Sequence, residues 1–309
     1  MSTLLITHPA CLNHLNPHGH PERPDRLRAI ERALEAEKFQ TLAREQAPRA
    51  MLEVIALCHP LDYIEHIRDA APLEGIVHLD ADTSISAGSF EAALRAAGGA
   101  VRAVDEVLGK RAANAFVATR PPGHHAETAR PMGFCLFDNA AIAARYAQQR
   151  HGIDRAAIVD FDVHHGNGSQ EIFWSDKSVM YLSTHQMPLY PGTGALGETG
   201  EYNTVVNAPL RPGDGGAAFR AAFESRILPR MRDFAPELIV ISAGFDAHMR
   251  DPLANLNLVE ADFAWATQKI MEVADRCAEG RIVSLLEGGY DLEALANSSA
   301  AHVNALMHG

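Results

Sequence analysis

The sequence has few cysteines and no long hydrophobic run, and each shortage excludes a class of protein. Only four of its 309 residues are cysteines, and no two of them form a Cys-x-x-Cys pair. We therefore expect neither a disulfide framework nor a thiolate metal site, and predict a reducing, cytoplasmic compartment. Apolar runs are too short for a membrane span, and residues 1–6 lack a signal-peptide layout, so no membrane association is expected.

Positive charge is also scarce. Lysine and arginine total 27 against 39 aspartates and glutamates, which gives a formal net charge of −12. This balance argues against a partner bound through nucleic-acid phosphates and favours cationic partners such as lysine-rich peptides or polyamines. The hydrophobic share of 47% suits a globular protein with a sizeable core. Whether the chain forms a homo-oligomer is left open by the sequence.

Short apolar runs alternate with helical patterns along the whole chain. Hydrophobic residues recur at three- and four-residue spacing in 90–108, 219–231 and 263–277, which predicts helices. This alternation predicts an α/β fold with a mostly parallel sheet covered on both faces. We find no repeat or linker, so residues 1–309 are predicted to be a single domain. The runs that predict strands lie at 3–6, 52–57, 114–118, 156–161, 179–183, 203–207, 238–242 and 281–286.

The run that begins at Ala156 ends in alternating carboxylates and imidazoles. Asp160, Asp162 and His164 are two residues apart, so on a strand they would share one face at its carboxyl end. Polar groups on an otherwise buried strand cost several kcal/mol unless a partner satisfies them. A bound cation is the simplest partner, because aspartate and histidine are suitable ligands for Zn²⁺ or a similar ion.

Other predicted strand ends carry unusual polar residues as well. His124 and His125 follow the run at 114–118 in a turn with two prolines, Asp246 follows 238–242, and Tyr290 follows 281–286 after two glycines. Ligands of parallel α/β sheets bind outside the carboxyl ends of the strands. We therefore expect these four side chains to lie close to Asp162 and His164.

This set of residues predicts metal-assisted hydrolysis of an amide. Asp162, His164 and Asp246 would supply three metal ligands and leave the fourth position to water. Two carboxylates neutralise a divalent ion, so its water is less acidic than in an all-histidine site and a separate base is expected.

The imidazole pair and the phenol can supply the remaining chemistry. His124 and His125 can act as base and acid, with Asp160 and Asn167 as their unequal hydrogen-bond partners. Tyr290 can donate a hydrogen bond to the developing oxyanion, a contribution on the order of 10²–10³ in rate.

Six motifs make the sequence resemble the histone deacetylase superfamily, which includes class II deacetylases, acetylpolyamine amidohydrolases and acetoin-utilisation proteins. The resemblance extends over nearly the whole chain. It implies the arginase/deacetylase fold with an eight-stranded parallel sheet, and deacetylation of acyl-lysine in proteins or peptides. The matching motifs are His20–Pro24, Arg120–Ala126, Asp160–Gly168, Tyr190–Gly194, Ser242–Asp246 and Glu287–Tyr290.

The resemblance also implies specific roles and ions. The zinc ligands fall on Asp162, His164 and Asp246, with Fe²⁺ as the alternative metal in the cell. The tandem histidines fall on His124 and His125, and the transition-state tyrosine on Tyr290. A structural K⁺ is implied beside the zinc, bound by the strand backbone together with Asp160 and Ser183. The narrow acyl-lysine channel would be lined by Gly133, Phe134, Tyr190 and Leu253.

Several alternatives remain open. Asn167 stands where class I enzymes carry aspartate, which resembles class II and leaves His125 without an ionic partner. Acetylpolyamines and other small N-acyl amines are a second substrate class, and polyamines are disfavoured because Leu253 is not the acidic residue associated with them. A non-catalytic acyl-lysine binder is a further alternative. A two-manganese ureohydrolase is disfavoured, because His165-Gly166 and Ala247-His248 stand where the second metal needs carboxylates. His185 and His248 are secondary candidates for substrate contact.

Overall fold

The computed structural model describes residues 2–308, and an eight-stranded, fully parallel sheet forms its centre. A small antiparallel pair, β3 (Ile76–His78) and β4 (Ser84–Ser86), lies outside this sheet. In their order across the main sheet, the strands are β2 (Ala43–Gln46), β1 (Leu4–Thr7), β5 (Ala115–Val117), β10 (Ile282–Leu286), β9 (Leu238–Ala243), β6 (Ala156–Asp160), β7 (Val179–Gln186) and β8 (Val205–Leu210).

Helices connect the strands and cover both faces of the sheet. A short π-helix, Phe223–Ile227, joins two of them, and the apolar residues at four-residue spacing in that region are buried. The α-helices are α1 (Asp25–Ala33), α2 (Leu52–Ile55), α3 (Leu61–Ala70), α4 (Ser89–Leu108), α5 (Asn139–His151), α6 (Asn167–Ile172), α7 (Gly216–Ala222), α8 (Leu228–Phe234), α9 (Glu260–Cys277) and α10 (Leu292–His308).

The predicted α/β fold with an eight-stranded parallel sheet is confirmed, with one error among the strands. Seven of the apolar runs coincide with β1 and β5–β10 to within a few residues. The run at 52–57 is not a strand, because Leu52–Ile55 forms α2. The eighth strand is Ala43–Gln46, a half-exposed edge strand of Ala-Arg-Glu-Gln that pairs with β1 and has no apolar run to reveal it.

The sheet separates two hydrophobic layers. On β6, Ala157 and Val159 pack into the layer beneath α1, α9 and α10, whereas Ala156 and Ile158 pack into the layer beneath α4 and α5. This alternation follows from the two-residue period of a strand, and burial on both faces explains why the run is continuously apolar. Burial of a side chain as large as Ile158 or Val159 contributes about 1.5–3 kcal/mol.

The carboxyl ends of β5, β10, β9 and β6 are adjacent in the sheet, although up to about 170 residues separate them in the chain. The turns after these four strands carry the polar residues that the sequence singled out. Within residues 2–308, the helices are too short or too polar to pass through a lipid bilayer.

Candidate active site

Asp162, His164 and Asp246 converge at the carboxyl end of the sheet. β6 ends at Asp160, so Asp162 and His164 lie in the turn that follows it, while Asp246 lies in the turn after β9. The Nδ1 atom of His164 is 3.2 Å from Oδ1 of Asp162 and 3.0 Å from Oδ2 of Asp246. One possible ligand atom from each of the three residues lies within 4.8 Å of the other two.

The charges of these three side chains suit a divalent cation. Burial lowers the pKa of His164, but hydrogen bonds and charges from Asp162 and Asp246 outweigh it and raise this pKa to about 10. Burial and the charge of Asp162 raise the pKa of Asp246. A positive charge is therefore strongly favoured between the carboxylates, and a metal ion can supply it while the imidazole becomes a neutral ligand. Two carboxylates and one imidazole fit Zn²⁺ or Fe²⁺.

Gly288 makes room for the paired carboxylates. A Cβ atom at this position would overlap the side chains of Asp246 and Asp162, so only glycine lets the turn after β10 approach them. The backbone N–H of Gly288 donates a hydrogen bond of 2.8 Å to Oδ2 of Asp162. The glycine therefore both permits the close approach and orients one candidate ligand.

His124 and His125 lie side by side next to the carboxylates, with their rings tilted by 46°, and each has a different partner. Nδ1 of His124 is 2.9 Å from Oδ2 of Asp160, whereas Nδ1 of His125 is 2.8 Å from Oδ1 of Asn167. The ring centroids are 4.0 Å apart, and the second ring is 6.0 Å from that of His164. The sequence-predicted pairing of the histidines with Asp160 and Asn167 is therefore present in the structure.

The two imidazoles have pKa values shifted in opposite directions. Burial lowers the pKa of His124, but the charges of Asp160 and Asp162 outweigh it and hold this pKa well above its usual value. Burial and then the positive charge of His124 hold the pKa of His125 well below its usual value. The surroundings therefore favour the protonated form of His124 and the neutral form of His125.

Asp160 is held by hydrogen bonds on both of its oxygens. Oδ2 accepts a bond of 2.9 Å from the hydroxyl of Tyr181, and Oδ1 accepts one of 3.1 Å from the backbone of Asp162. Ser183, the other predicted potassium ligand, pairs with Asp160 in the register of β6 and β7. Its hydroxyl lies 2.8 Å from Nδ1 of His185.

Tyr290 faces the same site from the turn after β10. Its side chain is 9% exposed, its ring meets that of Phe134 edge-on at 5.9 Å, and the guanidinium of Arg26 lies 4.9 Å from the ring centroid. Burial raises the pKa of Tyr290 well above its usual value, although Arg26 opposes this effect. The phenol therefore stays neutral and can donate a hydrogen bond.

A cavity of about 220 Å³ opens onto these residues. The four predicted channel residues all line it, and Tyr190 is the most exposed of them. Gly133 and Phe134 both have positive φ angles, and a Cβ on Gly133 would overlap the ring of His125. The cavity is lined by Asp82, His125, Gly133, Phe134, His164, Leu189, Tyr190, Leu253 and Tyr290.

Sequence reasoning missed two residues of this lining, Asp82 and Leu189. Both lie in loops with no periodic pattern, although Asp82 belongs to a short acidic run. Oδ1 of Asp82 accepts a hydrogen bond of 3.1 Å from the N–H of Gly133, so it also supports the channel wall. His185 and His248 are buried and do not line the cavity; His185 instead bonds to Ser183 and the Gly194 carbonyl.

A parallel α/β sheet with a buried Asp–His–Asp cluster and paired histidines at its carboxyl end is typical of a metal-dependent hydrolase, and comparison with known proteins identifies the family. The family model for the histone deacetylase domain matches residues 20–306. The chain therefore belongs to the histone deacetylase family, whose members include proteins named as deacetylases and amidohydrolases.

Individual relatives match over most of their own length. Histone deacetylase 10, chloroplastic, of Oryza sativa subsp. japonica is 41% identical over 98% of this chain and 73% of its own. A probable deacetylase of Archaeoglobus fulgidus is 38% identical over 100% of this chain and 87% of its own. The crystal structure of the HDA15 HD domain superposes with a TM-score of 0.93 at 35% identity and covers 99% of this chain and 88% of that one.

Proposed function

We propose that this chain is a metal-dependent deacetylase that removes acyl groups, above all acetyl, from lysine side chains of proteins or peptides. The observation that carries this proposal is the Asp162–His164–Asp246 cluster at the cavity, flanked by the imidazole pair and Tyr290. We propose these three residues as ligands of Zn²⁺, with Fe²⁺ as the alternative. When bound, such an ion polarises an acyl carbonyl and lowers the pKa of water.

The chain's own residues would supply the proton transfers. Neutral His125 can accept a proton at Nε2 because its Nδ1 is engaged by Asn167. His124, whose protonated form Asp160 favours, would stabilise negative charge and donate its proton to the leaving amine. The proton accepted by His125 would then leave to solvent, and His124 would take up a proton from solvent to restore the starting state. Tyr290 would donate its hydroxyl proton in a hydrogen bond to the acyl oxygen as that oxygen becomes negative.

The shape of the cavity supports a linear acylated side chain as substrate. Phe134 and Tyr190 present aromatic surface, and Leu253 adds an apolar wall, which suits the methylene chain of lysine. The excess of acidic residues favours positively charged sequences around the acyl-lysine. Small N-acyl amines would fit the same cavity, but the apolar Leu253 offers no charge to a polyamine ammonium.

A potassium ion beside the main metal is a second part of the proposal. Asp160 and Ser183 would contribute side-chain oxygens, and both are buried on paired strands. Such an ion would have a structural role and would help to fix the β6 end that bears the metal ligands. We further propose a reducing, cytoplasmic compartment, in which the four free cysteines would stay reduced.

The test is a hydrolysis panel on the purified protein loaded with Zn²⁺ or Fe²⁺. It compares acetyl-lysine peptides with neutral or cationic flanks, longer acyl-lysines, acetylpolyamines and simple acyl esters. The proposal expects the highest kcat/KM on an acetyl-lysine peptide. A preference for acetylpolyamines would overturn the substrate class and leave the amidohydrolase chemistry standing.

Inhibition and turnover together distinguish a metal-dependent deacetylase from a protein that only binds acyl-lysine. A hydroxamate should inhibit turnover, since it can chelate a metal that has an open coordination position. A protein that binds acyl-lysine peptides but hydrolyses none of the panel would be the non-catalytic binder instead. A content of two manganese ions per chain would favour the ureohydrolase alternative, for which the described residues show no second ligand cluster.

A further inference from the structure

Glu287 joins the turn that carries the imidazole pair to the turn that carries Tyr290. It follows the last residue of β10 and is fully buried, with 0% of its surface exposed. Its Oε2 atom accepts hydrogen bonds from the backbone N–H groups of Gly123, at 2.7 Å, and His124, at 3.2 Å. A side chain from one strand end therefore holds the backbone of another, 164 residues away along the chain.

The backbone of Glu287 is fixed as firmly as its side chain. Its N–H donates a bond of 3.0 Å to the carbonyl of Ala243, at the end of β9. Its carbonyl accepts a hydrogen bond from the guanidinium of Arg26, the same group that lies against the ring of Tyr290. Glu287 thus links the carboxyl ends of three neighbouring strands.

Burying a carboxylate at this position costs free energy, because the charged form loses its hydration. Burial raises the pKa of Glu287 to about 8, and the positive charge of His124 opposes that shift. Its Oε1 atom has no hydrogen-bond partner among the described residues. A glutamine could accept the same two N–H bonds without the desolvation cost of a charge. A buried acidic side chain whose one oxygen bridges two backbone N–H groups while the other has no partner therefore indicates a role beyond holding the fold.

We propose that Glu287 is a positioning residue for the reaction. It fixes the Gly123–His124 backbone relative to Tyr290, so that the imidazole pair and the phenol meet at one acyl group. This inference rests on the proposed deacetylase function. Small displacements matter in such a site, because a misplacement of about 1 Å can cost roughly a hundredfold in rate.

The first test compares Glu287 with Glu106, a buried glutamate of α4 that pairs with Arg102 and Arg111 away from the cavity. On an acetyl-lysine peptide, E287A should lower kcat at least about tenfold while KM stays within about twofold. E287Q keeps an acceptor oxygen and should fall between E287A and the wild type. E106A should keep the wild-type kcat. Equal kcat values for E287A and E106A, or a loss confined to KM, would overturn the proposal.

The second test does not depend on activity. In hydrogen–deuterium exchange, E287A should accelerate exchange in the segment 119–126, because the N–H groups of Gly123 and His124 lose their acceptor. E106A should leave that segment unchanged, which separates the local effect from general destabilisation. If the wild type hydrolyses no acyl-lysine substrate, the proposed function fails. Faster exchange in E287A would still show that Glu287 holds the Gly123–His124 backbone, whereas unchanged exchange would overturn the positioning role itself.

Discussion

Tyr290 is the residue for which a single atom separates the proposed role from a structural one. Tyr290→Phe keeps the ring against Phe134 and Arg26 but removes the hydroxyl that would bind the oxyanion. We expect kcat on acetyl-lysine to fall at least about a hundredfold with metal content unchanged. Steady-state kinetics with elemental analysis measures both, and wild-type turnover would refute the assignment.

A separate prediction concerns metal binding by the candidate ligands. Asp246→Ala or Asp162→Ala removes one of two carboxylates and leaves His164 with a single acidic partner. Each variant should lose most of its metal after dialysis, measured by elemental analysis. Asp233→Ala, an exposed carboxylate on α8, serves as the control and should retain full occupancy. Full occupancy in both ligand variants would contradict the ligand set.

For single residues, the sequence indicated the chemically active side chains better than the residues that support them. Paired carboxylates and imidazoles at strand ends are recognisable because polar residues interrupt apolar runs. Asp82 and Arg26 were not found, because their positions depend on how distant segments pack. Glu22 and Arg120 lie in two of the matching motifs, but their buried ion pairs with each other and with Arg26 depend on the packing of distant segments.

At the level of the elements, the N-cap residue of α5, Asp138, also contacts α6, the helix that begins at Asn167 beside the candidate site. Oδ1 of Asp138 accepts a bond of 2.8 Å from the N–H of Ala141, and Oδ2 accepts one of 2.6 Å from the hydroxyl of Ser169 on α6. Asp138→Ala should lower the free energy of unfolding by about 1–2 kcal/mol. Urea denaturation measures this change. Asp138→Asn keeps the capping oxygen and should lose less; equal losses would exclude the cap as the cause.

Strands were predicted correctly where both faces are buried, and the half-exposed strand at the sheet edge was missed. The central strands are apolar on both faces, so their runs were unmistakable. The edge strand β2 buries little and carries Arg44, Glu45 and Gln46, so nothing in its composition indicated a strand. The apolar run at 52–57 was misassigned because one turn of buried helix and a short buried strand are equally hydrophobic.

For the whole molecule, buried neutral histidines predict sensitivity to acid. Burial lowers the pKa of His302 to about 3 and those of His59 and His185 to about 4. In the unfolded chain these groups titrate near 6.5, so below that pH the unfolded state binds protons that the folded state does not. Their stabilising contribution is complete above pH 6.5 and is lost as the pH falls towards the folded-state values.

His302 provides the variant that tests this prediction. It bonds to Thr267 at 2.6 Å and Ser284 at 2.8 Å, away from the candidate metal ligands. Between pH 6 and pH 4, the wild type should lose about 1 kcal/mol of unfolding free energy per pH unit on account of this residue. His302→Gln should be less stable at pH 8 but have a correspondingly shallower slope. Parallel slopes in urea denaturation would disprove the assignment.

The order of the strands has a consequence for how the protein is made. The candidate ligands and their partners come from turns after β5, β6, β9 and β10, which are neighbours in the sheet but far apart in the chain. A fragment that ends before Asp246 lacks one carboxylate, and one that ends before Tyr290 lacks the phenol. The proposed three-ligand site would therefore be complete only after Asp246 has been synthesised and β9 has joined β6, and metal retention would report that this part of the sheet has assembled.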